Sequence, residues 1–319
     1  LGPKDRFDLA SLTKPVSASV ALRWEAQGRL ALATPLGEIW EGAAAGLAET
    51  TLEDLLRHRA GFIRWAPFYA LCGAPSEIAE RLLDGGLMRP SLMEANLLGA
   101  TESSYSDLDY LLWGLSVERA LGEPLARLFE RELGELGREA PAPHPVAESA
   151  VECRMDGARE GVLAAQMGLR VEIPAAPSPG TVQDGNARFA GGMAGHAGLF
   201  ASLDGVWRVL EEWTTPGRWL TGEGVELALT GTLPSGAETL SSGAGARPLG
   251  WTRPADWRQT AERLPAGCYG HLGFTGGSVW FERSTQRGLV LLAHRASSSA
   301  DLDPWRRRLY ERLSTGSAW

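Results

Sequence analysis

Phe7-Asp8-Leu9-Ala10-Ser11-Leu12-Thr13-Lys14-Pro15 is the stretch on which the reading of this chain turns. It contains Ser-x-x-Lys. Residues 12 to 28 carry Val16, Val20, Ala21 and Trp24 at helical spacing before Gly28. On a helix that begins near the serine, three residues make about one turn, so Ser11 and Lys14 share a face and can touch. A serine hydroxyl is a weak nucleophile until a neighbour takes its proton, and a lysine one turn away can organise that. Pro15 suits the first turn, where an amide hydrogen lacks a helical partner anyway. Among 31 Lys and Arg residues only Lys4 and Lys14 are lysine. Arginine stays protonated in proteins, whereas a buried lysine can shift its pKa and exchange a proton. Taken alone, the motif also fits a capped helix start with a solvated lysine.

At 319 residues and 34.2 kDa, the chain makes one large domain or two interlocked ones with a substantial core. Its hydrophobic content of 44% and charged content of 22% are those of an ordinary soluble globular protein. A net charge of −8 argues against nucleic acid or an anionic membrane as the main partner. Arg306-Arg307-Arg308 reads as the solvated face of a terminal helix. Cys72, Cys153 and Cys268 are too few and too far apart for a disulfide framework, and no Cys/His cluster has metal spacing. No cofactor or metal is expected, and no apolar run is long enough to span a membrane. The chain starts at Leu1, ten residues before the apparent nucleophile, so a processed form or fragment is expected. Any signal peptide lies upstream, which leaves the compartment open between cytoplasm and periplasm or secretion. Nothing in the residues bears on oligomeric state.

Further along, Thr50-Thr51-Leu52-Glu53-Asp54 predicts a capped helix start. Ser103-Ser104-Tyr105-Ser106-Asp107 reads as a polar turn before a helix with Leu108, Leu111, Leu112 and Leu115 on its buried face. Another helix is expected over 123–136. The proline-rich span 137–185 has no steady period and reads as a long excursion, of a kind that is often functional. Four glycines between 191 and 198 suggest close backbone approach. Helices are expected over 202–214, 221–230 and 301–313. A Gly/Ser-rich joint at 241–246 precedes strand candidates at 247–252, 274–282 and 288–294, the last two joined by a hairpin turn.

Three motifs therefore stand in order: Ser11-x-x-Lys14, Tyr105-Ser106-Asp107 and His271-Leu272-Gly273. With a helical stretch between the first two and strands around the third, the chain resembles the serine β-lactamase and penicillin-binding protein superfamily. Within it, the chain is most similar to class C β-lactamase-related esterases and other serine hydrolases. The resemblance rests on the opening stretch, on Gly191-Gly192-Met193-Ala194-Gly195-His196-Ala197-Gly198-Leu199-Phe200, and on Gly270-His271-Leu272-Gly273-Phe274-Thr275-Gly276. It spans nearly the whole chain.

The resemblance implies that Ser11 is acylated and then hydrolysed, with Lys14 in its proton network. Tyr105 would take the Ser11 proton and return it to the leaving group. A free tyrosine has a pKa near 10, so a cation beside it is expected to promote the phenolate, and Lys14 suits that. Asp107 stands where asparagine is frequent. It reads both as the N-cap of the helix from Leu108 and as the carboxylate that keeps Lys14 protonated. The implied oxyanion hole uses the amides of Ser11 and Phe274, beside Gly273, with the latter on the strand after the third motif.

Lys-Thr-Gly is usual in the third motif. Here His271 replaces the lysine, able to donate a hydrogen bond but mostly neutral at pH 7, and Leu272 replaces the threonine and donates nothing. Substrates without a carboxylate are favoured. Arg295 is a candidate replacement cation, though a solvated strand-end residue is the plainer reading. His196 reads as structural; His58, His144 and His294 read as surface or core.

The expected fold class is α/β (α+β), an antiparallel sheet flanked by helices with a mostly helical insertion, β-lactamase/transpeptidase-like. Residues 1–58 and 186–319 would form the sheet domain carrying Ser11 and His271, and 59–185 the helical domain carrying Tyr105. Family strands that precede the Ser-x-x-Lys helix are absent from the sequence, so the sheet is expected to lack N-terminal strands. The expected activity is a serine hydrolase acting on a small-molecule ester or amide through acyl-Ser11. The alternatives are a β-lactamase or D,D-peptidase and, in another class, a non-catalytic penicillin-sensor-like binding protein or inactive relative.

Overall fold

The computed structural model describes residues 1–88, 105–145, 147–172, 174–231, 247–257, 261, 263–295, 297 and 301–315. Ser103, Ser104 and the joint at 241–246 lie outside them.

The central element is α1 (Thr13–Ala26), close to the expected 12–28. Lys14, Val16, Ser17, Ala18, Ser19, Val20, Ala21 and Trp24 are all buried, so the helix is covered on nearly every side. Buried hydroxyls on such a helix need internal partners. Ser17 Oγ donates to Gly195 O at 2.7 Å, and Ser19 Oγ donates to Pro15 O at 2.8 Å while accepting from Trp213 Nε1 at 2.7 Å.

Short helices follow: α2 (Leu36–Ile39), α3 (Ala45–Ala48), α4 (Leu52–Leu56), α5 (Phe68–Leu71) and α6 (Glu77–Leu83). Thr51 caps α4 in a reciprocal box with Asp54. The longer pair α7 (Asp107–Leu121) and α8 (Leu125–Gly134) packs against α1 through Trp24, Trp113 and Phe129, and α7 also packs against α4. Ser106, not Asp107, is the N-cap of α7: its backbone is extended (φ −140°, ψ 130°) and its Oγ accepts from Leu108 N. Asp107 is instead the first helical residue, which leaves its carboxylate free to turn toward α1.

The excursion is more structured than its composition suggests. Its strand β2 (Ala142–Pro143) joins β1 (Phe7–Asp8) and β3 (Leu199–Ala201) in a small antiparallel sheet of order β1-β3-β2. Phe7 faces Ala201 and Ala142 faces Phe200. The excursion also holds α9 (Ala158–Gln166), and α10 (Gly185–Phe189) follows it. Next come α11 (Leu203–Thr214) and α12 (Gly222–Thr230).

A second antiparallel sheet, order β4-β5-β6, comprises β4 (Cys268–Leu272), β5 (Gly276–Glu282) and β6 (Arg287–His294). The turn between the last two is the expected hairpin. Residues 247–252 do not form the expected strand: one bridge, Thr252 to Gly270, is their contact with β4. Gly250 at φ 70° turns the chain there, packed against Ala18 of α1. Phe274 lies in the β4–β5 turn rather than on a strand. The terminal helix α13 (Asp303–Thr315) is present, but Arg306 is buried rather than solvated. It donates to the carbonyls of Gly276 and Gly277 and pairs with Asp303, closing the end of β5.

The architecture is thus the mixed α/β one expected, with antiparallel sheets among many helices. Among the described residues no helix is long and apolar enough to cross a membrane.

Close approach explains part of the glycine stretch. A Cβ on Gly195 would sit 2.2 Å from the carbonyl oxygen of Tyr110. Gly195→Ala is expected to separate this loop from α7 and destabilise the fold by about 2–3 kcal/mol, read as a lowered urea midpoint.

Candidate active site

Ser11 lies in a 3₁₀ turn (Ala10–Leu12) that leads into α1. The residue before it, Ala10, has φ 46°, a left-handed conformation that costs a non-glycine residue roughly 1 kcal/mol. Buried Asp8 holds this turn: one carboxylate oxygen accepts from Ala10 N at 2.8 Å and the other from Gln183 N at 2.6 Å. Burial pushes the Asp8 carboxyl upward, with its two amide donors opposing. Asp8 O accepts from Thr275 Oγ1, and Asp8 N donates to His294 Nε2, so both sheets fix the approach to Ser11. Asp8 and Ala10 belong to the opening stretch, yet sequence reasoning gave neither a role.

Ser11, Lys14, Tyr105 and Asp107 converge. Lys14 Nζ donates to Ser11 Oγ at 3.0 Å and to Asp107 Oδ1 at 2.6 Å. Tyr105 Oη is 3.0 Å from Ser11 Oγ and 3.1 Å from Asp107 Oδ1. Lys14 also lies 4.8 Å from the centre of the Tyr105 ring. Its side chain is fully buried, whereas that of Asp107 is 22% exposed. Burial alone would lower the Lys14 pKa, but the Asp107 carboxylate and then Tyr105 reverse this and raise it, so Lys14 is an ammonium. For Tyr105 the balance runs upward: burial and then Asp107 raise its pKa, and Lys14 opposes them without prevailing. The resting tyrosine is therefore a phenol, not the phenolate expected from the cation alone.

His271 closes the site on the β4 side, its ring centre 5.9 Å from that of Tyr105. It is buried, and burial followed by the nearby Lys14 charge lowers its pKa well below the ordinary value. Its Nδ1 is 3.0 Å from Leu272 O. A carbonyl can only accept, so the ring spends its one proton there and Nε2 is left as an acceptor. The hydrogen bond that His271 was expected to be able to donate goes to the Leu272 carbonyl.

Gly273 packs against Leu9 O and Leu12. Phe274, half-buried in the next turn, has the Arg159 guanidinium 5.6 Å from its ring. Arg295 N donates to Thr275 O, and burial with neighbouring Arg306 lowers the pKa of its side chain. The charges that act on it include those of Arg306, Asp303, Arg159 and Asp301. The cations beside Tyr105 are others: Arg64 at 5.8 Å and Arg247 at 5.9 Å from its ring. Neither belongs to a recognisable motif. His196 bonds Asp184, the cap of α10, in keeping with a structural role.

The β-lactamase family model matches residues 1–312, and the chain belongs to that family. An N-acetylmuramyl-L-alanine amidase of Bacillus subtilis (strain 168) is 25% identical over 320 residues, covering 93% of this chain and 69% of that protein. The esterase EstB of Burkholderia gladioli is 30% identical over 267 residues, covering 75% of this chain and 64% of that protein. A class C β-lactamase structure from Rhodobacter sphaeroides superposes with a TM-score of 0.63 at 18% identity, covering 99% of this chain and 86% of that one. Family and relatives together make the protein a serine hydrolase.

The Lys14–Asp107 pair has a pH signature. A lysine whose folded pKa exceeds its ordinary 10.5 adds stability below that value and loses it as pH rises through the folded pKa. Asp107→Asn removes the dominant upward influence and leaves burial, so the Lys14 pKa falls. The alkaline limb of kcat/KM is expected to move toward neutrality by about one unit or more, measured in a pH–rate profile. An unmoved limb would contradict the pairing.

Proposed function

We propose that the protein hydrolyses small-molecule esters or amides through an acyl intermediate on Ser11. The observation that carries this reading is the placement of Ser11 Oγ 3.0 Å from both Lys14 Nζ and Tyr105 Oη, with Asp107 Oδ1 bonded to both partners. The reaction takes place where the sheet part (1–58 and 186–319) meets the mostly helical part (59–185).

In this mechanism Ser11 Oγ attacks the substrate carbonyl carbon. Its proton moves to Tyr105 Oη as the phenolic proton moves to Asp107 Oδ1, 3.1 Å away. The phenol therefore relays a proton without ever becoming a resting phenolate, which its raised pKa disfavours. Lys14 remains an ammonium, fixing Ser11 and Asp107 and stabilising negative charge as it moves. The amides of Ser11 and Phe274, beside Gly273, receive the oxyanion. As the tetrahedral intermediate collapses, the carbonyl bond to the leaving oxygen or nitrogen breaks, and the proton returns through Tyr105 to that atom. Water then repeats the sequence on acyl-Ser11, releasing the acid.

The similarity to an amidase and an esterase supports acyl transfer to water from esters or amides. Leu272 and the acceptor-only edge of His271 favour substrates that need no hydrogen-bond donor from β4. A β-lactamase or D,D-peptidase activity is the second reading, supported by similarity to two putative D-alanyl-D-alanine carboxypeptidases of Escherichia coli.

Fluorophosphonate labelling is expected in the wild type and lost in Ser11→Ala; labelling that persists in full would contradict the reading. Tyr105→Phe should lower kcat on p-nitrophenyl butyrate by about 10²–10⁴-fold. A chromogenic cephalosporin turned over much faster than that ester would reverse the order of the two substrate classes.

A further inference from the structure

His58 follows the end of α4 and lies in none of the three motifs. Its backbone has φ 58°, the left-handed region that a residue with a Cβ enters at a cost of roughly 1 kcal/mol. Such an outlier persists only where surrounding structure holds it. Arg57 supplies that hold: its buried guanidinium pairs with Glu53 and donates to the carbonyls of Leu227, Ala228 and Arg247.

The strained backbone sends the His58 ring inward, where it is 5% exposed and lies between two tyrosines. Ring centres are 4.7 Å from Tyr105 and 5.0 Å from Tyr110. Tyr110 is itself pinned, its hydroxyl donating to Leu56 O at 2.8 Å. His58 Nδ1 lies 3.2 Å from Ser106 N and 3.2 Å from Asp109 Oδ2. In one tautomer it accepts from the amide between Tyr105 and Asp107; in the other it donates to the first turn of α7. Either bond ties the ring to the segment that carries the site. The same loop holds that segment twice more, through Ser106 Oγ to Ile63 O at 2.6 Å and Asp107 N to Arg64 O at 2.9 Å.

We infer that His58 is the positioning residue for Tyr105: its ring buttresses the phenol and its Nδ1 fixes the adjoining backbone, setting Tyr105 Oη within reach of Ser11 and Asp107. This rests on the acyl-Ser11 reading given above. Burial, then the charges of Arg247 and Lys14, keep the imidazole neutral, so it adds no further cation to a site already holding Lys14, Arg64 and Arg247. His58 touches no reacting atom. Its contribution is geometric, and a displacement of about 1 Å at such a site can cost about 10²-fold in rate.

Two variants separate backbone strain, hydrogen bond and ring. His58→Gly tolerates the left-handed backbone but removes the whole side chain. His58→Asn also tolerates that backbone and keeps a polar atom where Nδ1 stands, losing only the far side of the ring. Folding is checked by circular dichroism, and activity is counted as the part abolished by Ser11→Ala. In His58→Gly, kcat on p-nitrophenyl butyrate is expected to fall about 30–100-fold with KM within about threefold. His58→Asn should recover at least about threefold of that loss. Folded variants that both keep kcat within about twofold of wild type would overturn the inference. So would equal losses without rescue by asparagine. Activity that survives Ser11→Ala would instead bring down the acyl-serine reading.

Discussion

A lysine with a fully buried side chain, bonded to one carboxylate, organises this protein. An ammonium removed from water is costly unless an opposite charge and hydrogen bonds replace its hydration. Lys14 receives both from Asp107 at 2.6 Å and Ser11 at 3.0 Å. The pair joins the start of α1 to the start of α7, elements 93 residues apart in sequence. Tyr105, two residues before Asp107, is thereby brought over Ser11. One contact thus both offsets the burial of Lys14 and joins the two segments that carry the site.

That contact also changes the chemistry. With asparagine at 107 the tyrosine would have no carboxylate to receive its proton, and the cation would be its main electrostatic neighbour. The carboxylate holds Lys14 charged and adds to burial, the larger influence, in raising the tyrosine pKa. In the mechanism proposed above, the tyrosine passes a proton between serine and aspartate, with the lysine as a fixed charge. Strain supports this arrangement on both sides, at Ala10 before the serine and at His58 behind the tyrosine. Each is clamped by a buried charged residue, Asp8 in one case and Arg57 in the other.

Local pattern made the helices, the final hairpin and the Ser11–Lys14 pair legible in sequence, because helical period and a three-residue spacing are short-range signals. Tyr105, Asp107 and His271 were legible through ordered motifs, and they do meet at Ser11 or Tyr105. Other features depend on partners distant in the chain. Strands β1 and β2 have two residues each, too short to show alternation, and exist because β3 lies between them. Residues 247–252 have strand-like composition, but Gly250 packs on α1 and only Thr252 reaches β4. Arg306 sits in a run of three arginines, and only the docking of α13 over β5 distinguishes it. His58 reads in sequence only as a surface or core histidine; its left-handed backbone is visible only in three dimensions.

On the proposed reading, Ser11 carries the acyl group during turnover. Acid quenching during steady-state hydrolysis of p-nitrophenyl butyrate, followed by intact-mass and peptide analysis, tests it most directly. A butyryl adduct is expected on the peptide containing Ser11 in the wild type and, formed and cleared more slowly, in Tyr105→Phe. Ester turnover with the butyryl group on another residue, or with Ser11 unmodified in both proteins, would contradict it.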